Sequence, residues 1–196
     1  MKHIKYSYLT AFSLLLGGCA QTPVIVENYD EFKKTKVCKL NPYLIRNECR
    51  ISTSRATDIT LETQPDGSIK AILTSRIIQN IFLNYDSFSP RSKIKFILTT
   101  PDQKTEELIF QGQDNSTTHD SHVVYGQYAT VTLPVVNALL TFTMTAEQLR
   151  KIIAAPKTEF YFESGKDPIK GELSDSNKAA FKQFLDKCAP LGGNKQ

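Results

Sequence analysis

From about residue 50 to residue 144 apolar and polar residues alternate with period two, and beyond residue 144 the spacing lengthens to that of helices. Period two sends successive side chains to opposite faces of an extended chain, so it predicts strands with one face buried. Ile59, Leu61 and Thr63 alternate, Pro65-Asp66-Gly67 interrupts them, and Ile69, Ala71 and Leu73 resume the pattern. Proline presets φ and glycine accepts positive φ, so the three residues between the runs predict a hairpin turn. Ile77–Leu83 is a further apolar run, and Ile94, Phe96 and Leu98 alternate before the breaker Thr100-Pro101-Asp102. Leu108 and Phe110 begin another short strand. Val123–Tyr125 and Tyr128–Leu133 flank Gly126, and Val135–Met144 is rich in β-branched and aromatic residues, with a break or bulge expected at Pro134.

The last third reads as helix, two strands and helix. Thr145-Ala146-Glu147-Gln148 has the spacing of a capping box, in which hydroxyl and amide serve unpaired backbone N–H groups. Leu149, Ile152 and Ile153 then mark one helical face, which ends at Pro156. Thr158–Glu163 and Ile169–Leu173 read as strands around the turn Gly165–Pro168. Ser174 is placed to cap a second helix, whose Phe181, Phe184, Leu185 and Cys188 fall at i, i+3, i+4 and i+7 on one buried stripe. Strands followed by helices predict an α+β fold: an antiparallel β-rich sheet or sandwich with two C-terminal helices packed on it.

Ahead of this pattern stands a different one. Lys2, His3 and Lys5 make a basic start, Tyr6–Leu16 is apolar, and Gly17 and Gly18 are small. That is the layout of a secretory signal peptide, and its apolar part is about half of the roughly 20 residues a spanning helix needs. The end of the segment, Leu16-Gly17-Gly18-Cys19, resembles the lipobox of bacterial lipoproteins. The resemblance covers about the first 20 residues and implies cleavage before Cys19, a diacylglyceryl thioether on its sulfur and an N-acyl chain on its amine. Two or more chains anchor stably, at about 0.8 kcal/mol per buried CH₂. In lipoproteins of enteric Gram-negative bacteria an Asp after the cysteine retains the protein in the inner membrane. Ala20 stands here, so the resemblance implies the periplasmic face of the outer membrane, with the inner membrane as the alternative.

These readings divide the chain into a leader over 1–18, a lipidated Cys19 with a short tether to 36, one globular domain over 37–190 and a tail over 191–196. Within the tether Pro23 and the lack of an amphipathic period predict an unstructured link, with one helical turn expected over Tyr29–Lys36. Extended, it would reach at most about 60 Å.

Charge and cysteine usage narrow the chemistry. The chain has 24 basic and 20 acidic residues, and losing Lys2 and Lys5 with the leader leaves a net charge of +2. So small an excess argues against nucleic acid as a partner. In an oxidising periplasm Cys38, Cys49 and Cys188 supply at least one bridge. Cys38–Cys49 around Asn41-Pro42 is the favoured pair, and a link from either to Cys188 is the rival. A Cys188 left over would belong to the buried helical stripe.

His119 and His122, beside Asp114 and Asp120, are the sole tempting metal constellation. They lie in the polar stretch Gln111–Ser121, which reads more simply as an exposed hairpin loop lacking the rigid frame that fixes ligand geometry. No nucleophile elbow or Gly-rich phosphate loop occurs, so no catalytic residue, metal or cofactor is expected beyond the acyl chains on Cys19. Phe82, Tyr85, Phe88, Tyr125 and Tyr128 read as core or sheet surface rather than a ligand groove. Three functions stay open in descending order: a non-catalytic lipoprotein that binds another envelope protein, a small-molecule or lipid carrier with an apolar pocket, and a metal enzyme through His119 and His122.

Overall fold

The structure, a computed structural model, describes residues 21–31, 35–50, 53–79, 88–89, 91–125, 130–164 and 168–188. The segment 1–18, read as a leader, and Cys19 lie outside them. In chain order the elements are β1 (Ile25–Asp30), β2 (Thr35–Arg50), β3 (Thr53–Thr63), β4 (Ile69–Gln79), β5 (Lys93–Thr99), β6 (Thr105–Gln111), β7 (Asp114–Tyr125), β8 (Thr130–Met144), α1 (Ala146–Ala154), β9 (Lys157–Phe162), β10 (Ile169–Glu172) and α2 (Asp175–Cys188). Six strands form one antiparallel sheet in the order β1-β2-β3-β4-β8-β7, and four form a second in the order β10-β9-β5-β6. The α+β class expected from the pattern is the class observed.

The β3–β4 hairpin forms where alternation and turn chemistry predict it. Its ladder runs unbroken from Thr53↔Gln79 to Thr63↔Ile69. In the turn Gly67 takes φ of 83°, and Ser68 donates to the Asp66 carboxylate through both its N–H (2.9 Å) and its hydroxyl (2.6 Å). The β5–β6 hairpin crosses to the second sheet, and the chain then returns through β7 and β8 to pair with β4. Pro134 causes no break: the β7–β8 register passes through Ser121↔Pro134 without a shift. The described β4 ladder starts only at Val135, so proline's missing N–H falls where β8 has one neighbour instead of two among the described residues.

One core joins both sheets and both helices. Leu40, Ile59, Leu61, Leu73, Leu140 and Phe142 line the six-stranded sheet, while Ile94, Phe96, Phe110, Phe160 and Phe162 line the four-stranded one. Phe110 meets Phe142 across the gap with ring centroids 5.4 Å apart, and Phe96 touches Phe110 and Phe162 edge-on. The space between the sheets is thus occupied by rings, whose pairing adds about 0.5–1.5 kcal/mol each beyond area burial.

Both helices cap as their sequences predict. Gln148 N–H donates to the Thr145 hydroxyl (3.1 Å), and Thr145 N–H donates to the Gln148 side-chain oxygen (2.8 Å). Asn177 N–H donates to Ser174 Oγ, while Asn177 Oδ1 accepts from Ser174 N–H, a second reciprocal cap. The α2 stripe is buried: Phe181, Phe184, Leu185 and Cys188 all lie in the core. Lys178 Nζ donates to the carbonyls of Ala155 and Pro156 just beyond α1, joining the two helices.

Three expectations are corrected. The favoured Cys38–Cys49 bridge gives way to its rival: Cys38 is bonded to Cys188, 150 residues away, with Cα atoms 5.6 Å apart. Cys38 and Cys49 belong to the same strand, and eleven residue steps of strand separate them by about 36 Å. Asn41-Pro42 does not fold the chain back. It lies in β2 at the first of two register shifts against β3, between Leu40 and Tyr43.

The stretch read as tether and helical turn contains β1 and the start of β2, paired from Ile25↔Leu40 to Asp30↔Thr35. An edge strand held by one ladder needs little burial, so it leaves only a faint hydrophobic period. The Gln111–Ser121 stretch, read as a loop, is largely strand β7. It too is an edge strand, with mostly exposed side chains, and its Thr residues suit extended backbone.

Cys188→Ser should lower unfolding stability by about 2–5 kcal/mol, because the bridge closes a very long loop in the unfolded chain. Urea denaturation of the variant and the natural protein checks this, and unreduced peptide mapping should recover Cys38 linked to Cys188.

Candidate functional site

Strand β7 stands at one edge of the six-stranded sheet, and no described strand pairs with its outer side. Its twelve residues, Asp-Asn-Ser-Thr-Thr-His-Asp-Ser-His-Val-Val-Tyr, include no Lys, Arg, Pro or Gly. Ser116, Thr118, His119, Asp120, Ser121 and Val123 are exposed. The ladder to β8 keeps one register from Asp114↔Thr141 to Tyr125↔Thr130, so the edge is long and regular. Asn115 Nδ2 donates to the Phe88 carbonyl at 2.6 Å, tying one end of β7 to the core.

The other edges differ. β10 has four residues, and β1 has six and follows Pro23. β6 carries Glu106 and Glu107, engaged by Lys151 and Lys95. Shortness, charge and proline are the usual means of keeping an edge from pairing, and β7 has none of them beyond two aspartates.

His119 and His122, weighed above as a weak metal pair, do not assemble as a loop would allow. His119 is exposed on β7 opposite Val136. Position 122 pairs with Leu133 three residues further along the same ladder, and an odd spacing sets two positions on opposite faces of a strand. Among the described residues no three His, Cys, Asp or Glu side chains gather into a ligand set. Of the weighed aromatics, Phe88 is core. Phe82, Tyr85 and Tyr128 lie outside the described residues, as does the side chain of Tyr125. The backbone of Cys49 pairs with Ser54, and its side chain lies outside the description.

At the opposite edge the chain is fastened from its first described residue. Gln21 Nε2 donates to the Pro42 carbonyl (3.0 Å), Leu44 N–H donates to Gln21 Oε1 (2.8 Å), and Tyr43 O–H donates to the Gln21 carbonyl (3.0 Å). Asn41 N–H then donates to the Val24 carbonyl (2.9 Å), extending the β1–β2 ladder backwards. The register shifts in β2 lie in this stretch, and they bring it beside Ser174 and Asn177 of the α2 cap around an open concavity of about 260 Å³. Asn177 Nδ2 donates to the Leu44 carbonyl across it. This docking lies in the stretch read as tether, and its one local signal is Gln21, whose amide can both donate and accept.

The face toward the second sheet turns polar where β2, β3 and β4 run past the apolar core. Arg46 Nε donates to Glu48, and Arg46 lies against Gly171, where a Cβ would come within 2.5 Å of the guanidinium and 2.7 Å of the Phe160 ring. Thr57 and Ser75 pair across β3 and β4, both buried, and neither hydroxyl has a hydrogen-bond partner among the described residues. On the other face Asp58 is part-buried. Burial raises its carboxyl above the ordinary range, and the Arg76 guanidinium draws it part of the way back.

No protein-family model matches the chain, and no curated protein is significantly similar to it. Among the described residues no helix is long and apolar enough to cross a membrane.

Two stability measurements check the polar features. Replacing Thr57 by Val together with Ser75 by Ala should leave stability unchanged or raise it by about 1 kcal/mol, since burying a hydroxyl without a partner costs free energy. A fall of that size in urea denaturation would mean that both hydroxyls have partners. Asp58 has a folded pKa above its unfolded value, so the fold loses stability as pH rises through the folded value. Asp58→Asn should therefore melt above the natural protein at pH 7, with the gap closing below about pH 4.

Proposed function

We propose that this protein is a non-catalytic lipoprotein, held by acyl chains on Cys19 at the periplasmic face of the outer membrane, that binds another envelope protein through strand β7. The observation that carries this reading is the long, exposed β7 edge, whose outer side no described strand pairs. Its backbone N–H and C=O groups offer a template on which an extended segment of a partner adds a seventh strand, with main-chain hydrogen bonds supplying affinity. The hydroxyl and amide side chains along it solubilise the edge without blocking approach. The lipobox-like Leu16–Cys19 supports the anchor, and the two edges of the sheet divide the work. β1 lies by the anchor, while β7 lies five strand spacings away, about 24 Å across the sheet.

A photo-crosslinking residue placed at position 116 or 118 in intact cells should capture one envelope protein, while the same residue at position 109 or 161 should not. Ser116→Lys with Thr118→Lys should lower that capture about tenfold, equivalent to ~1.4 kcal/mol, with the melting temperature unchanged. Equal capture from all four positions, or capture of the chain by itself alone, would remove the support for this reading.

A further inference from the structure

We infer that the β1–β2 edge of the domain rests directly on the lipid headgroups, so that the anchor fixes the domain's orientation instead of letting it swing on a tether. The inference rests on the proposed lipidation of Cys19 and adds to it a surface and a geometry. Gln21 is bound to Pro42, Tyr43 and Leu44 by three hydrogen bonds, and only Ala20 separates it from Cys19 in the sequence. Two residues of chain span at most about 7 Å. A sulfur whose acyl chains are buried in the bilayer therefore holds the Gln21 region at headgroup depth. A longer reach would require breaking the Gln21 contacts and then peeling β1 from β2.

The surface at that point suits such a position. Val24 is 53% exposed and Leu44 is 37% exposed, two of the few large apolar side chains in the described residues that face solvent. Val24 lies across the ladder from Asn41, and Leu44 is the residue whose N–H holds Gln21, so both sit beside the point of attachment. Pro42, also exposed, lies between them in the sequence. Lys187 Nζ donates to the Ile25 carbonyl, bringing the last turn of α2 to the same edge. Lys39, on β2 opposite Val26, adds a second cation close by. Apolar side chains with lysines at their border fit the boundary between headgroups and acyl chains, where long basic side chains keep their charge in water. Exposed apolar residues elsewhere, Ile109 and Tyr161 on the four-stranded sheet, have no such link to the anchor.

The chain contains no tryptophan, so one introduced indole reports its own surroundings without background. The full-length protein, processed by its host, is reconstituted in phosphatidylethanolamine–phosphatidylglycerol vesicles containing a lipid brominated near the headgroup. Four variants are compared: Val24→Trp, Leu44→Trp, Ile109→Trp and Tyr161→Trp. Emission from the first two should be quenched several-fold more strongly than from the last two, and should shift to shorter wavelength on reconstitution. Thermal melting of each variant shows that it folds, and mass spectrometry with vesicle flotation shows whether it is acylated and bound. Protein that floats and is acylated, yet shows equal quenching at all four positions or stronger quenching at 109 and 161, overturns the orientation and leaves the anchor standing. An unmodified Cys19 in protein that stays in solution overturns the anchor itself, and the orientation with it.

Discussion

The bond between Cys38 and Cys188 joins the second strand to the final turn of the last helix and closes nearly the whole folded body into one loop. Both cysteines are core residues, and the apolar face of α2 is pressed onto β2 where they meet. β2 is therefore fixed from several sides. It has β1 and β3 as ladder partners, α2 against its buried face, and Gln21 bound at its register shifts. The remaining sheet grows outward from this fixed strand through β3, β4 and β8 to β7, whose outer side no described strand pairs. Constraint is concentrated at one edge and released at the other. On the proposed function, that asymmetry would allow the two edges to have different tasks.

The parts of the fold that were legible in the sequence are those where burial and local chemistry agree. The β3–β4 hairpin has a clean alternation and a turn that needs glycine at positive φ, and both signals point to the same structure. The α2 stripe and the two reciprocal caps were readable for the same reason: each rests on residues within one helical turn of each other. β1 and β7 were not readable. An edge strand is held by backbone hydrogen bonds to one neighbour, and the side-chain pattern records burial, not backbone pairing. β7 in particular is rich in Ser, Asn and Asp, which also compose loops, and nothing local distinguishes the two.

The disulfide failed to be legible for a different reason. Closeness in sequence favours Cys38–Cys49 only if the chain turns between them, and Asn41-Pro42 offered a turn. In the fold that dipeptide is absorbed by a register shift within an otherwise continuous strand, and proline's missing N–H is tolerated there. Two cysteines on one strand cannot meet, whereas a strand and the helix packed on it can. The pairing thus follows from tertiary packing of α2, which no spacing rule contains. The placement of Cys188 on a buried stripe was correct, and it was also the clue that its partner had to be buried against the same helix.

What decides between a swinging and a seated domain is the number of free residues between lipid and fold. An eighteen-residue link, as the hydropathy pattern suggests for residues 19–36, would let the domain explore tens of ångströms and present any face to a partner. With the β1 ladder and the Gln21 contacts in place, the proposed anchor would leave a link of two residues, and a link so short would transmit orientation as well as position. Orientation then gives the open edge a meaning that exposure alone does not. If the β1–β2 edge rests on the headgroups, β7 stands at the far side of the sheet, away from the layer that would otherwise cover its amides. On the proposed function, a partner strand arriving through the periplasm would meet it already aligned. The anchor would by then have met the entropic cost of orienting the domain, which favours binding at a polar edge with few apolar contacts.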